Sequence, residues 1–231
     1  MNMKKELKLY NKNITIYYSN TIKKAPVIIL NSYDENTLEI FNKVKELTDK
    51  EFIFISISNI NWNSEMSPWY MDKLYKNEDN YSGNADEYLN ILAKNIIPEI
   101  EEFIKKELKI NISYYAIAGY SLAGLFAIYS LYKTDMFKRV ICCSGSLWYP
   151  NFINFIKEHE LVSNPDKIYF SLGNKESNTK NEMLATVEDN TKLIVNYFSD
   201  KGIETIYEVN EGNHFQNVSL RIVKAIVWIL N

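Results

Sequence analysis

The segment Gly119-Tyr120-Ser121-Leu122-Ala123-Gly124 has the spacing G-x-S-x-G. The apolar run Tyr114–Ala118 precedes the serine and the helical run Leu122–Tyr132 follows it, which is the strand–turn–helix context this pattern needs. A serine hydroxyl is a weak nucleophile until a base removes its proton. A sharp turn carries Ser121 clear of the sheet, where a base can reach it. The turn also forces backbones together, so small residues flank it, here Gly119 and Gly124. The whole chain holds only 7 glycines, which gives two at these positions weight. The bland alternative is a strand-to-helix turn whose serine caps the helix.

A serine nucleophile needs an imidazole to take up and return a proton, and a carboxylate to orient that imidazole. In α/β-hydrolases these follow the serine in the order acid, histidine. The chain has two histidines. His214, in Asn210-Glu211-Gly212-Asn213-His214-Phe215, falls on a turn between the last strand and the last helix, at the same sheet edge as Ser121. His159, in Lys157-Glu158-His159-Glu160, reads as a solvated helix end. The acid should follow the strand Ile168–Leu172, where Glu176 is the one carboxylate of Gly173-Asn174-Lys175-Glu176-Ser177. Asp166 precedes that strand at the wrong end, and Glu188 and Asp189 lie along the next helix. Glu176 as orienting acid and a Ser–His pair without one both remain open.

Acyl transfer also develops an oxyanion, which needs two aimed N–H donors. Leu122 N–H follows the nucleophile at a helix start, where the helix dipole helps. The second donor is expected from the loop after the strand Val27–Leu30, at Ser32 or Tyr33.

Short β-rich runs alternate with longer segments of helical period, the pattern of a mostly parallel α/β sheet. The expected strands are Ile14–Tyr18, Val27–Leu30, Phe52–Ser58, Tyr114–Ala118, Val140–Ser144, Ile168–Leu172 and Glu204–Val209. The expected helices are Leu38–Thr48, Ala85–Leu108, Leu122–Tyr132, Asn151–His159, Glu182–Lys201 and Val218–Leu230. Pro98 should kink or break the second helix. The link Ser19–Lys24 predicts an antiparallel hairpin between the first two strands. The stretch 59–83 breaks the alternation with Trp62, Trp69, Tyr70, Tyr75 and Tyr81. Following a strand, it lies at the carboxyl edge where such sheets bind ligands. Trp62, Trp69, Tyr120 and Trp148 are candidates for walls of a substrate pocket, core packing being the equal alternative.

At 231 residues with 46% hydrophobic and 24% charged side chains, the composition suits one globular domain. A net charge of −3 gives no electrostatic reason to expect nucleic acid or an anionic membrane. Neither a secretory leader nor a membrane-length apolar run is evident, which predicts a cytoplasmic protein. Cys142 and Cys143 are adjacent on a strand and point to opposite faces, which predicts buried thiols rather than a disulfide. No metal or cofactor cluster is expected.

The chain resembles the putative-esterase family of α/β-hydrolases, which includes esterase D and the enterobactin esterases. The resemblance rests on Gly119–Gly124, Ser144-Gly145-Ser146-Leu147-Trp148, Tyr169-Phe170-Ser171-Leu172-Gly173 and Glu211-Gly212-Asn213-His214. Asn61-Trp62-Asn63 through Ser67-Pro68-Trp69 resembles a subgroup of small bacterial members. It implies a seven- or eight-stranded α/β-hydrolase sheet with helices on both faces. It also implies hydrolysis of carboxylic esters, with Ser121 as nucleophile and His214 as base. Hydrolysis of a thioester, or of a siderophore or sugar ester, is the alternative with the same residues. A hydrolase fold retired to small-molecule binding is a rival of another class.

Overall fold

The computed structural model of the chain describes residues 2–19, 23–33 and 37–231. Among the described residues ten strands form in chain order: β1 (Asn2–Leu9), β2 (Lys12–Ser19), β3 (Lys24–Asn31), β4 (Ile53–Ser58), the short β5 (Tyr70–Met71) and β6 (Tyr81–Ser82), β7 (Asn111–Tyr120), β8 (Phe137–Cys143), β9 (Lys167–Gly173) and β10 (Glu204–Asn210). All except β5 and β6 join one eight-stranded sheet of order β1-β2-β4-β3-β7-β8-β9-β10. From β4 to β10 neighbouring strands are parallel, and β2 runs antiparallel to both β1 and β4.

The central strands are apolar on both faces because both faces are covered. Along β3, Val27 and Ile29 enter one core layer while Ile28 and Leu30 enter the other. Helices α1 (Leu38–Leu47) and α9 (Val218–Leu230) cover the second layer. The first is covered by α3 (Ala85–Ile91), α4 (Ile97–Phe103), α5 (Leu122–Ser130), α6 (Phe152–Glu158) and α8 (Val187–Asp200), with the short α2 (Trp62–Glu65) and α7 (Glu182–Ala185) beside them. In α9 the inward side chains Ile222, Ala225, Ile226 and Ile229 are buried. Each buried isoleucine contributes about 1.5–3 kcal/mol by leaving water.

Three expectations need correction. The hairpin expected across Ser19–Lys24, whose residues 20–22 lie outside the described ones, does not pair β2 with β3. The chain instead folds β1 onto β2 about Tyr10 and Asn11, both at positive φ, and β3 goes inside to pair with β4 and β7. The charged Asn2–Leu9 hides this strand from an apolar-run search; it is an edge strand, for which charge is expected. The helix expected at Ala85–Leu108 is divided by π-helical turns at Leu92–Ile96 and Ile104–Leu108. The first of these directly precedes the turn holding Pro98, and the wider winding accommodates a residue that has no N–H to give. The helix expected at Glu182–Lys201 breaks at Thr186 into α7 and α8, with the Asn181 side chain capping α7.

Strand order reverses at β3, because the chain leaves it for β4 on one side and returns to β7 on the other. A crevice opens outside the carboxyl ends of the strands at such a switch point. The loops after β3, β7, β9 and β10 all end there.

Candidate active site

Ser121 sits between β7 and α5 with φ 60° and ψ −124°, a conformation costly for a residue with a Cβ. Backbone bonds hold it there. Ser121 N–H donates to Cys143 O (3.1 Å), and the amides of Gly124 (3.0 Å), Leu125 (3.1 Å) and Ser146 (3.0 Å) donate to Ser121 O. The turn is tight enough that a Cβ on Gly119 would lie 2.1 Å from Ala123 O, which explains the glycine there.

Ser121 Oγ lies 3.0 Å from His214 Nε2, and His214 Nδ1 lies 2.7 Å from Glu176 Oε2. The three side chains come from the loops after β7, β10 and β9, so a continuous relay crosses the sheet edge. Such a relay can take a proton from the hydroxyl on one side of the ring while the carboxylate steadies the other. His159 instead caps the end of α6, stacked on Phe155 at 4.3 Å with Nδ1 2.9 Å from Phe155 O.

Glu176 is almost wholly buried, its side chain 3% exposed. Burial alone would raise its carboxyl, but the hydrogen bond and charge of His214, with the Gly173 amide and the Ser144 hydroxyl, outweigh burial and hold it below its ordinary value. The Gly173 amide donates to Oε1 at 2.6 Å and the Ser144 hydroxyl at 2.8 Å. A third donor to Oε1 is the guanidinium of Arg221 at 2.6 Å, from the first turn of α9. Arg221 is 0% exposed.

Of the two candidate second oxyanion donors, Ser32 N–H is already engaged, donating to Ile57 O at 2.9 Å. That bond extends the β3–β4 pairing one residue beyond the strand and withdraws the Ser32 amide from the crevice. Tyr33 lies next along, exposed, its ring edge-on to Trp62 at 5.5 Å. Leu122 opens α5, where first-turn amides have no intrahelical acceptor.

Two cavities meet at Ser121 and His214. The larger, about 840 Å³, lies at the switch point under Tyr33, Trp62 and Tyr120, with Leu30, Ile60 and Ile222 among its apolar walls. The smaller, about 350 Å³, is bounded by Trp148, Tyr75, Ser144, Ser146 and Lys175. The aromatic stretch 59–83 therefore contributes to both, through α2 with the residues just before it and through the irregular connection between the strands of the β5–β6 ribbon, from Leu74 to Asp79. Trp69 lines neither. Its Nε1 donates to Pro150 O (3.0 Å) and its ring packs against Tyr149, Phe152 and Phe155, tying the ribbon to α6.

Residues 8–218 match the family described as Putative esterase. The chain belongs to that family. It is accordingly an ester-hydrolysing enzyme. The esterase is 23% identical over 240 residues to the uncharacterized protein YbbA of Bacillus subtilis (strain 168), covering 97% of this chain and 94% of that one. Its fold is similar to an IroE-like serine hydrolase from Shewanella oneidensis (TM-score 0.80, 17% identity, 99% of this chain and 79% of the other). It is also similar to the siderophore hydrolase EstA from Aspergillus nidulans (TM-score 0.77, 15% identity, 100% and 94%).

Some residues of the esterase site escape a motif search. Phe215, 86% exposed, borders both cavities and stands edge-on to the His214 ring at 5.2 Å. Ser146 Oγ lies 3.3 Å from Ser121 Oγ. Asn31, buried at the end of β3, accepts from Tyr88 OH at 2.6 Å and lines the larger cavity. Arg221 had one signal, a charge on the apolar stripe it shares with Ala225 and Ile229. Cys142 and Cys143 are free and buried, and burial pushes both thiols up, that of Cys143 to about 12. Among the described residues no cluster of three or more His, Cys, Asp or Glu is placed to hold a metal, and no helix is long and apolar enough to cross a membrane.

Proposed function

We propose that the chain is a serine carboxylesterase that works through an acyl-enzyme. The observation that carries this is the unbroken relay from Ser121 Oγ through the His214 ring to Glu176, at 3.0 and 2.7 Å. Ser121 Oγ attacks the ester carbonyl carbon while its proton passes to His214 Nε2. The oxyanion is held by the amides of Leu122 and Tyr33. On collapse the alcohol leaves with the proton from His214. Water then gives a proton to the same nitrogen and attacks the acyl-enzyme; the acyl–Oγ bond breaks, His214 returns the proton to Ser121 Oγ, and the acid leaves. Glu176 stays ionised throughout and steadies the imidazolium.

The two cavities suit the two halves of an ester, one on each side of the carbonyl bound at Ser121. The larger, with Tyr33 and Trp62, suits a bulky aromatic or acyl group, and the smaller, where Trp148, Leu184 and Val187 stand beside Ser144 and Ser146, a more compact one. A siderophore or sugar ester is the second reading, favoured by the polar residues Asn31, Asn61, Asn63 and Asn77 around the larger cavity. The complete relay argues against a retired hydrolase that only binds. One domain, a small-molecule substrate and a cytoplasmic location belong to the same proposal, the last checked by fractionation of the producing cell.

Turnover of a panel of p-nitrophenyl and aryl esters tests it. Ser121→Ala and His214→Gln should each lose nearly all turnover and His159→Gln almost none. Equal losses in the two histidine variants contradict the assignment.

A further inference from the structure

Arg221 makes more contacts than an ion pair requires. Its Nη1 donates to Glu176 Oε1 (2.6 Å), Ser144 Oγ (2.8 Å) and Tyr120 OH (3.0 Å). Its Nη2 donates to the carbonyls of Asn213 (2.9 Å) and Glu211 (3.3 Å), which lie on the turn that carries His214. Tyr120 OH in turn donates to His214 O at 2.6 Å. One guanidinium thus touches the acid, the residue before the nucleophile and the backbone leading to the base. Gly173 makes room for it, because a Cβ there would lie 2.7 Å from Arg221 Nη2 and 2.9 Å from Glu176 Oε1.

We propose that Arg221 is a positioning residue of the catalytic relay, setting Glu176 and the His214 turn in register through its planar fork and biasing the relay with its charge. The inference rests on the triad reading above. Fork and charge make separable contributions. The fork joins Glu176 to the carbonyls of residues 211 and 213, a span that a single ammonium cannot reproduce. The charge favours the ionised form of the Glu176 carboxylate and so disfavours a further proton on the Glu176–His214 pair. Other groups near the carboxylate do not compete. Burial holds the Tyr120 and Tyr207 phenols and the Cys143 thiol up at about 12, so all three are neutral. Lys175 borders the smaller cavity as an exposed residue, screened by solvent.

The test is the pH dependence of kcat/KM for one p-nitrophenyl ester in the wild type, Arg221→Lys and Arg221→Met. Arg221→Met should lose about 100-fold in kcat, as for a displacement on the order of 1 Å, and its acid limb should move up by about one pH unit. Arg221→Lys should also lose kcat but keep the wild-type acid limb, since it keeps the charge. If Arg221→Met does not accumulate folded, Arg221→Gln replaces it with the same expected shift. An unmoved limb in the neutral variant overturns the proposal, and so does a limb that moves as far in Arg221→Lys, because lost packing alone would then explain both. Ser121→Ala is assayed alongside. Full turnover by it would bring down the triad reading and this inference together. An inactive Ser121→Ala beside a wild-type-like Arg221→Met brings down this inference only.

Discussion

The hydroxyl of Tyr120 donates to the backbone carbonyl of His214 at 2.6 Å. The residue before the candidate nucleophile therefore anchors the turn that bears the candidate base, across 94 positions of sequence. Burial pushes the phenol up to about 12, so it remains a donor at any pH the enzyme meets. Tyr120→Phe removes this anchor and leaves the His214 carbonyl short of a partner. The expected outcome is a loss of about 1–3 kcal/mol in urea unfolding and about 10-fold in kcat with KM little changed. A variant with wild-type kcat contradicts the anchoring role.

Glu176→Gln keeps the shape of the acid but removes its charge and one acceptor for the ring N–H. Turnover should fall by about two to four orders of magnitude, while circular dichroism shows a folded chain. A loss below about threefold would mean that the enzyme works as a Ser–His pair.

The acid side of stability follows from the same carboxylate. Glu176 is held below its ordinary value of 4.5 in the folded chain, despite burial, by His214 and its other donors. A carboxyl lowered on folding stabilises the fold at pH above its unfolded value, and that contribution disappears as pH falls through the folded one. Urea midpoints should therefore decline from about pH 4.5 downward, and Glu176→Gln should show a shallower decline in that window. Parallel declines would remove Glu176 from the explanation.

Gly173→Ala places a methyl 2.4 Å from Gly212 O, a backbone atom that cannot swing aside. The two turns that carry Glu176 and His214 must then separate. Stability should fall by about 2 kcal/mol or more, and turnover should fall further than that loss explains. Wild-type activity in a folded Gly173→Ala would show that the turns tolerate separation.

The two tryptophans of the 59–83 stretch should behave differently. Trp62→Ala, on the larger cavity, should raise KM for bulky aryl esters and leave the melting temperature almost unchanged. Trp69→Ala, packed among Tyr149, Phe152 and Phe155, should lower the melting temperature by several degrees and leave KM in place. The reverse pattern would exchange their roles.

What was legible in the sequence is what strong local rules govern. Ser121 was marked by a turn whose sterics demand Gly119, and Glu176 and His214 by loops that must end at the same edge once β9 and β10 are parallel to β7. These three side chains are the ones that meet. Less legible were features decided at long range. Asn2–Leu9 carries no apolar run, as an edge strand need not, so one of the two partners of β2 was hidden. Ser32 and Tyr33 are neighbours just beyond the end of β3, and which amide is withdrawn depends on where pairing with β4 stops. Trp62 and Trp69 share a composition and a loop, but only the folded ribbon separates a pocket wall from a packing residue. Arg221 belongs to no motif, and its one signal, a charge on the apolar stripe of α9, names no partner until the turns after β9 and β10 are folded against it.

Covalent labelling reports directly on whether Ser121 is the nucleophile. The chain is treated with a fluorophosphonate at neutral pH, and the adduct is located by peptide mass mapping in the wild type and in Ser121→Ala. One adduct per chain is expected, on Ser121, formed slowly in His214→Gln and absent from a folded Ser121→Ala. An adduct on another residue, or labelling of Ser121→Ala at the wild-type rate, would contradict it.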